Sequence, residues 1–140
     1  MISSRVVLCG VDGSTTSLRA AMYAAGIARR ERCRLVVAYV IAPGPFEWAV
    51  MGGGGLLAQL RAELSRTVEA EVRALVEDCP GTVTFVSRVG RPTDCLSAIA
   101  DEVRADMVVV GVSRGWRRRC GVSVAAGLIR VGRWPVVVVP

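Results

Sequence analysis

Short apolar segments alternate with amphipathic segments along the whole sequence. The apolar segments are rich in β-branched residues and nearly continuous, as in parallel strands that are buried on both faces. They predict five strands, at residues 5–11, 34–40, 82–89, 106–110 and 134–139. Between them, apolar residues at three- and four-residue steps predict helices at 16–30, 56–77, from the turn at 90–93 to Val103, and at 123–131.

This alternation predicts an α/β fold, with a doubly wound parallel sheet and helices on both of its faces. The 140 residues are close to the size of one domain, so we expect a single domain over residues 1–140. Segment 82–89 alternates between apolar and polar residues, which is typical of a more exposed strand. A long loop is predicted at 41–55, before the second helix.

The composition indicates a globular protein and argues against several other classes. Hydrophobic residues make up 52% and charged residues 21%, so disorder is excluded. No apolar run approaches the length of a membrane span, and the start of the chain does not resemble a secretory leader, so we expect a cytoplasmic protein without membrane contact. The five cysteines are scattered without C-x-x-C spacing, which favours reduced, buried thiols over a zinc site or disulfides.

The absence of two residue types narrows the chemistry further. Without histidine, catalysis by a histidine base is excluded, and without lysine there is neither a Schiff-base lysine nor a Walker-type phosphate lysine. Arginine carries all of the positive charge, which exceeds the negative charge by six at neutral pH. This excess favours anionic ligands at the surface. We predict no catalytic residue and no metal site.

Two strand ends carry the polar residues of a candidate site. In doubly wound sheets, ligands bind outside the carboxyl ends of the strands, where the strand order reverses. The first strand ends in Asp12, which could accept hydrogen bonds from a ligand or could cap the first helix. The fourth strand runs into 111–115, which has glycines, Ser113 and Arg114. With the helix start at Ser123, this segment could form an anion site or a solvated basic loop.

Five pieces of sequence carry a resemblance to a known family through their order and spacing. They are residues 6–14, Tyr39-Val40, 89–92, 105–111 and 134–139. The chain thereby resembles a universal stress protein domain over essentially its whole length. The resemblance implies a five-stranded parallel sheet of order 3-2-1-4-5, of the adenine nucleotide alpha hydrolase-like type, and usually a homodimer.

Many members of that family bind ATP through the pattern G-x-x-G, nine residues, then G-S or G-T. The resemblance implies that Asp12 and Val40 hold the adenosine, and that the glycine loop and a hydroxyl hold the phosphates of ATP or another adenine nucleotide. Whether Mg²⁺ accompanies the nucleotide is left open. The residues expected to bind nucleotide are Val11, Asp12, Gly13, Val40, Gly111, Ser113, Arg114, Gly115, Ser123 and Val124.

The glycine loop departs from the family pattern in two ways. Val122 stands where the third glycine belongs, and only ten residues separate it from Gly111, two fewer than the pattern has. Arg114 occupies the expected position of the second glycine, which is displaced to Gly115. A valine Cβ disfavours a positive φ and blocks close approach to a phosphate. This predicts weak triphosphate binding, whereas adenosine recognition is less affected.

Four functions are therefore compared. One is a cytoplasmic stress-response regulator that binds an adenine nucleotide in a degenerate site, and the alternative is a family member without nucleotide that acts as a protein-interaction module. The third is slow ATP hydrolysis, for which Asp12 is the only candidate general base. The fourth is nucleic-acid binding, which the basic run Arg117-Arg118-Arg119 beside Trp116 would favour. The other arginines are dispersed along the chain, so this function is disfavoured.

The last strand predicts a dimer. Between Pro135 and Pro140 it contains four consecutive valines, Val136, Val137, Val138 and Val139, and no charge. An exposed sheet edge of this kind promotes aggregation unless it is covered. A second copy that pairs antiparallel about a two-fold axis would cover it, and closed two-fold dimers are the commonest homo-oligomers.

Overall fold

The five apolar segments form one parallel sheet. The structure, a computed structural model, describes residues 3–42, 55–79, 81–112 and 123–140, without the side chains of Leu56 and Leu57. The strands are β1 (Val6–Val11), β2 (Arg34–Ile41), β3 (Val83–Val89), β4 (Met107–Gly111) and β5 (Val136–Val139). The helices are α1 (Thr15–Glu31), α2 (Gly55–Leu75), α3 (Pro92–Val103) and α4 (Val124–Val131).

The strand order is β3-β2-β1-β4-β5, and all four neighbouring pairs are parallel. This confirms the predicted fold class and sheet order. From β1 the chain builds outward through β2 to β3, then crosses back to β4 and builds outward in the opposite direction to β5. The strand order therefore reverses between β1 and β4.

Two hydrophobic layers cover the two faces of the sheet. One layer joins α1 and α2 to the side chains of Val7, Cys9 and Val11, and the other joins α3 and α4 to Val6 and Leu8. All six residues of β1 are buried. A strand that is buried on both faces must be apolar throughout, which explains its nearly continuous hydrophobic run.

The first half of α2 extends past the sheet. Val68 and Val72 are buried, but Leu60 is 47% and Leu64 53% exposed. Val68 packs beside Gly13, which already lies beyond the end of β1. A helix of 21 residues is about 31 Å long, whereas a strand of six residues spans about 20 Å. The apolar repeat of α2 therefore continues where the sheet offers nothing to cover it.

The ends of the elements differ from the sequence prediction by up to two residues. β5 begins at Val136 instead of residue 134, since Pro135 has no N–H to donate to a ladder. The guanidinium of Arg133 lies 5.0 Å from the ring centre of Trp134, just before this strand. Most of the predicted long loop lies outside the described residues. In the part of the chain that is described, no helix is long and apolar enough to cross a membrane.

The sequence predicts buried, reduced cysteines, and the structure confirms the burial for two of the four cysteines that it describes. Cys9 and Cys33 are buried and Cys79 and Cys95 are half-buried, and all four are free thiols. Burial raises the pKa of Cys9 to about 12. The Cys9 thiol therefore stays neutral at physiological pH and cannot act as a thiolate nucleophile. The fifth, Cys120, lies outside the described residues.

Two glycines inside helices have different surroundings. Replacing each of them with alanine tests the packing of α3 against α4. A Cβ at Gly127 would lie 2.6 Å from Oγ1 of Thr93, whereas at Gly26 it would meet only the mobile guanidinium of Arg30, at 3.2 Å. We expect Gly127→Ala to lower the free energy of unfolding by about 1–3 kcal/mol, because the β-branched Thr93 yields little. We expect Gly26→Ala to raise it by about 0.5–1 kcal/mol, since alanine favours the helix. Urea unfolding measures both, and equal effects would contradict the described packing.

Candidate functional site

The ladder between β1 and β4 ends before either strand does. The two strands pair from Val7 with Met107 to Gly10 with Val110. Beyond that point β1 pairs only with β2, through Val11 and Tyr39. The end of β4 pairs only with β5, where Gly111 lies opposite Val139. The strands part at the reversal of strand order, where open α/β sheets bind their ligands.

Asp12 lies at this point, and its carboxylate is only partly engaged. Its Oδ1 accepts a hydrogen bond from the backbone N–H of Ser14 at 2.9 Å, and its own N–H donates to Oγ of Ser17 at 3.2 Å. Within the described residues, Oδ2 accepts no hydrogen bond. The side chain is half-buried. One carboxylate oxygen therefore stays available to a ligand that donates hydrogen bonds.

The cap of α1 is Ser14, so the alternative that Asp12 caps this helix is wrong. Oγ of Ser14 accepts from the N–H of Ser17 at 3.3 Å, in the extended conformation that a cap residue adopts. Gly13 joins the two residues at a φ of +84°, which a residue with a side chain rarely adopts. This turn places Asp12 outside the helix, at the end of β1.

Gly111 lies against the first turn of α1. A Cβ at this position would be 2.5 Å from the carbonyl oxygen of Thr16 and 2.9 Å from the backbone nitrogen of Ser17. Any larger residue would push helix and strand apart. The glycine that the family resemblance links to phosphate is thus also required for packing.

A threonine that the sequence analysis missed spans the gap between the two strand ends. Oγ1 of Thr16 donates to the carbonyl oxygen of Val112 at 3.0 Å, across 96 positions of sequence. It also lies 3.3 Å from Oγ of Ser14. The only signal in the sequence is the run of four hydroxyl residues from Ser14 to Ser17, which by itself reads as a helix start.

The three valines of the predicted site have their side chains in the core. Val11 packs in the layer of α1 and α2, and Val40 and Val124 pack in the layer of α3 and α4. Only their backbone groups can therefore meet a ligand. Tyr39, next to Val40, is also buried, and burial together with the nearby Asp12 carboxylate raises the pKa of its hydroxyl. Tyr39 consequently stays neutral.

The predicted phosphate side is described only at its two ends. Ser123 caps α4, where its Oγ accepts from the N–H of Ala126 at 3.2 Å, and Gly111 and Val112 end the other side. Ser113, Arg114, Gly115 and Val122 lie outside the described residues. The described residues contain no group of three or more acidic or thiol side chains able to hold a metal ion.

A cavity of about 450 Å³ opens at the other, amino end of the sheet. Its floor includes Val7 and Met107, and its rim has two arginines and two acidic residues, so its charges balance. It does not coincide with the cleft that contains Asp12.

Comparison with known proteins decides the family. The sequence profile of the Universal stress protein family matches residues 3–140. The chain belongs to the universal stress protein family. A search among curated proteins finds no match for this family member.

Solved universal stress proteins share the fold over nearly the whole chain. One that was crystallised in complex with cAMP is 28% identical, with a TM-score of 0.74 and 97% of each chain covered. UspA from Lactobacillus plantarum is 21% identical, with a TM-score of 0.76 and 100% of each chain covered. A universal stress protein from Archaeoglobus fulgidus, in complex with dAMP, is 21% identical, with a TM-score of 0.68 and coverage of 100% of this chain and 100% of that chain.

The cap at Ser14 can be tested directly. We expect Ser14→Ala to lower the free energy of unfolding by about 1 kcal/mol, because the N–H of Ser17 loses its acceptor. Ser14→Thr, which keeps a hydroxyl, should retain most of the stability. Chemical denaturation followed by circular dichroism measures both variants. Wild-type stability in Ser14→Ala would contradict the capping role.

Proposed function

We propose that this protein is a cytoplasmic stress-response regulator that binds an adenine nucleotide in the cleft between the carboxyl ends of β1 and β4. It acts by binding and dimerisation, without turnover. The observation that carries the proposal is the half-buried Asp12 carboxylate at the point where the β1–β4 ladder ends, with one oxygen that accepts no hydrogen bond from the described residues. The relatives solved with cAMP and dAMP support an adenine nucleotide as the ligand.

Charge decides how the nucleotide lies in the cleft. A carboxylate repels the phosphates and accepts hydrogen bonds from hydroxyl or amino groups, which the adenosine carries. Asp12 therefore contacts the adenosine. The phosphates then point towards the start of α4, where the N–H groups of the first helical turn favour negative charge. Of the described residues, Gly111, Val112, Ser123 and Val124 lie on that side.

Asp12 provides the sharpest test of this arrangement. Asp12→Ala should weaken the binding of AMP and of ATP by the same factor, roughly ten- to a hundredfold for a lost hydrogen bond to a charged group. Isothermal titration calorimetry measures both affinities. Asp94→Ala is the matched control, because Asp94 is an exposed acid in the first turn of α3, at the same end of the sheet. Selective loss of ATP binding would assign Asp12 to the phosphates and contradict the proposal.

The bound nucleotide can be identified without choosing a candidate in advance. The purified protein is denatured, and released nucleotides are identified by mass spectrometry, followed by titration of the emptied protein with AMP, ADP and ATP. The short glycine loop favours the ligands with fewer phosphates. If no nucleotide is released and none of the three binds, the alternative of an interaction module without nucleotide replaces this proposal.

The two edges of the sheet differ in a way that supports a dimer through β5. The β3 edge includes the polar residues Thr84, Ser87 and Arg88, which hinder pairing with another chain. β5 is entirely valine, and no strand among the described residues pairs with its outer row of backbone groups. A second copy that pairs antiparallel satisfies these groups.

The exposed valine of β5 tests the dimer. Val138 is 42% exposed, whereas Val137 and Val139 pack partly against the layer of α1. Val138→Lys should therefore convert the dimer to a monomer without disturbing the core, because the charge would be buried in the interface. Sedimentation at micromolar concentration measures the state. Leu75→Lys, a half-exposed site on α2, is the control. A wild-type monomer, or a dimeric Val138→Lys variant, would contradict this interface.

A further inference from the structure

Thr16 is the only described side chain that hydrogen-bonds across the gap between the end of β4 and the start of α1. The bond joins a helix that follows β1 to a strand end that has already left the β1 ladder. The start of α1 and the end of β4 border the cleft on its two sides. The Thr16 side chain joins them at a point where β1 and β4 no longer pair.

The direction of the hydrogen bonds around Thr16 follows from its single hydroxyl proton. Thr16 donates that proton to the carbonyl oxygen of Val112, so Oγ1 can only accept from Oγ of Ser14. The N–H of Ser14 in turn donates to Asp12. One row of hydrogen bonds thus runs from the Asp12 carboxylate through Ser14 and Thr16 to the end of β4.

Val112 is also held through its backbone N–H. Its N–H donates to the carbonyl oxygen of Val139 on β5 at 2.8 Å. Close to it, Gly111 lets the strand approach the backbone of Thr16. Since β5 fixes the end of β4 on one side, the bond from Thr16 sets the distance from that end to the start of α1. A single hydrogen bond can therefore define the width of the cleft.

We propose that Thr16 is a positioning residue for nucleotide binding: its hydrogen bond to Val112 holds the cleft between β1 and β4 at the width that the nucleotide requires. This inference rests on the proposed function. Without the bond the strand end and the helix start separate more freely, and the ligand must order them when it binds. Such ordering weakens affinity even though Thr16 makes no contact with the ligand.

The test compares three variants with the wild type. Thr16→Val keeps the branched shape and removes the hydroxyl, Thr16→Ser keeps the hydroxyl, and Thr15→Val changes the exposed neighbour. Affinity for AMP is measured by calorimetry at a temperature at which circular dichroism shows every variant to be folded, and the melting temperature is measured separately. We expect Thr16→Val to bind AMP roughly three- to tenfold more weakly, as the loss of one hydrogen bond implies. Thr16→Ser and Thr15→Val should remain within about twofold of the wild type.

The possible results separate this inference from the proposed function. If Thr16→Val melts at a lower temperature but binds AMP as well as the wild type, Thr16 has only a structural role and the inference is wrong. If Thr16→Ser loses affinity to the same extent as Thr16→Val, the hydroxyl is not responsible and the inference is wrong. If the wild type itself binds neither AMP, ADP nor ATP, both the proposed function and the inference are overturned.

Discussion

Strand β1 forms hydrogen-bonded ladders with two neighbours, and the positions of the other elements follow from them. Its six residues are buried because helices cover both faces of the sheet and strands flank both edges. Since β2 and β4 both pair with β1, the chain must build outward in two directions. The strand order must then reverse beside β1, and the ladder to β4 ends at Gly10 before the strands themselves end. The candidate site is a consequence of this topology.

The residues around that site differ in how much of their role packing explains. Gly111 is needed because α1 comes within a side chain's distance of β4, whether or not a phosphate binds there. A glycine at this position is therefore weak support for phosphate binding taken alone. Asp12 is different, because among the described residues its carboxylate accepts a single hydrogen bond, at Oδ1 from the N–H of Ser14. A partly buried carboxylate oxygen with no partner among the described residues, as Oδ2 is, favours a ligand more strongly than a well-packed glycine does.

The described part of the cleft has one charged hydrogen-bond acceptor, Asp12. The thiol of Cys9 on β1 is held neutral by burial, and Tyr39 is held neutral by burial and by the Asp12 carboxylate. The chain has no histidine and no lysine. Among the described residues of the cleft, Asp12 is the one charged group at the point where β1 and β4 stop pairing. A carboxylate acceptor of this kind can orient a nucleoside through its hydroxyl or amino groups.

The amino-acid sequence by itself determined the alternation of strands and helices, because β-branched runs and helical repeats are local signals. The apolar run of β1 and the repeat of Val68 and Val72 are examples. The strand order was not a local signal and came from the family resemblance. Tertiary structure alone decided that Leu60 and Leu64 stay exposed, since only the length of the sheet determines where α2 loses its cover. It also decided that Ser14 instead of Asp12 caps α1, because two neighbouring polar residues compete for one role and the turn at Gly13 selects between them. The contact of Thr16 with Val112 joins segments 96 residues apart, and no pattern along the chain encodes which distant carbonyl a hydroxyl will meet.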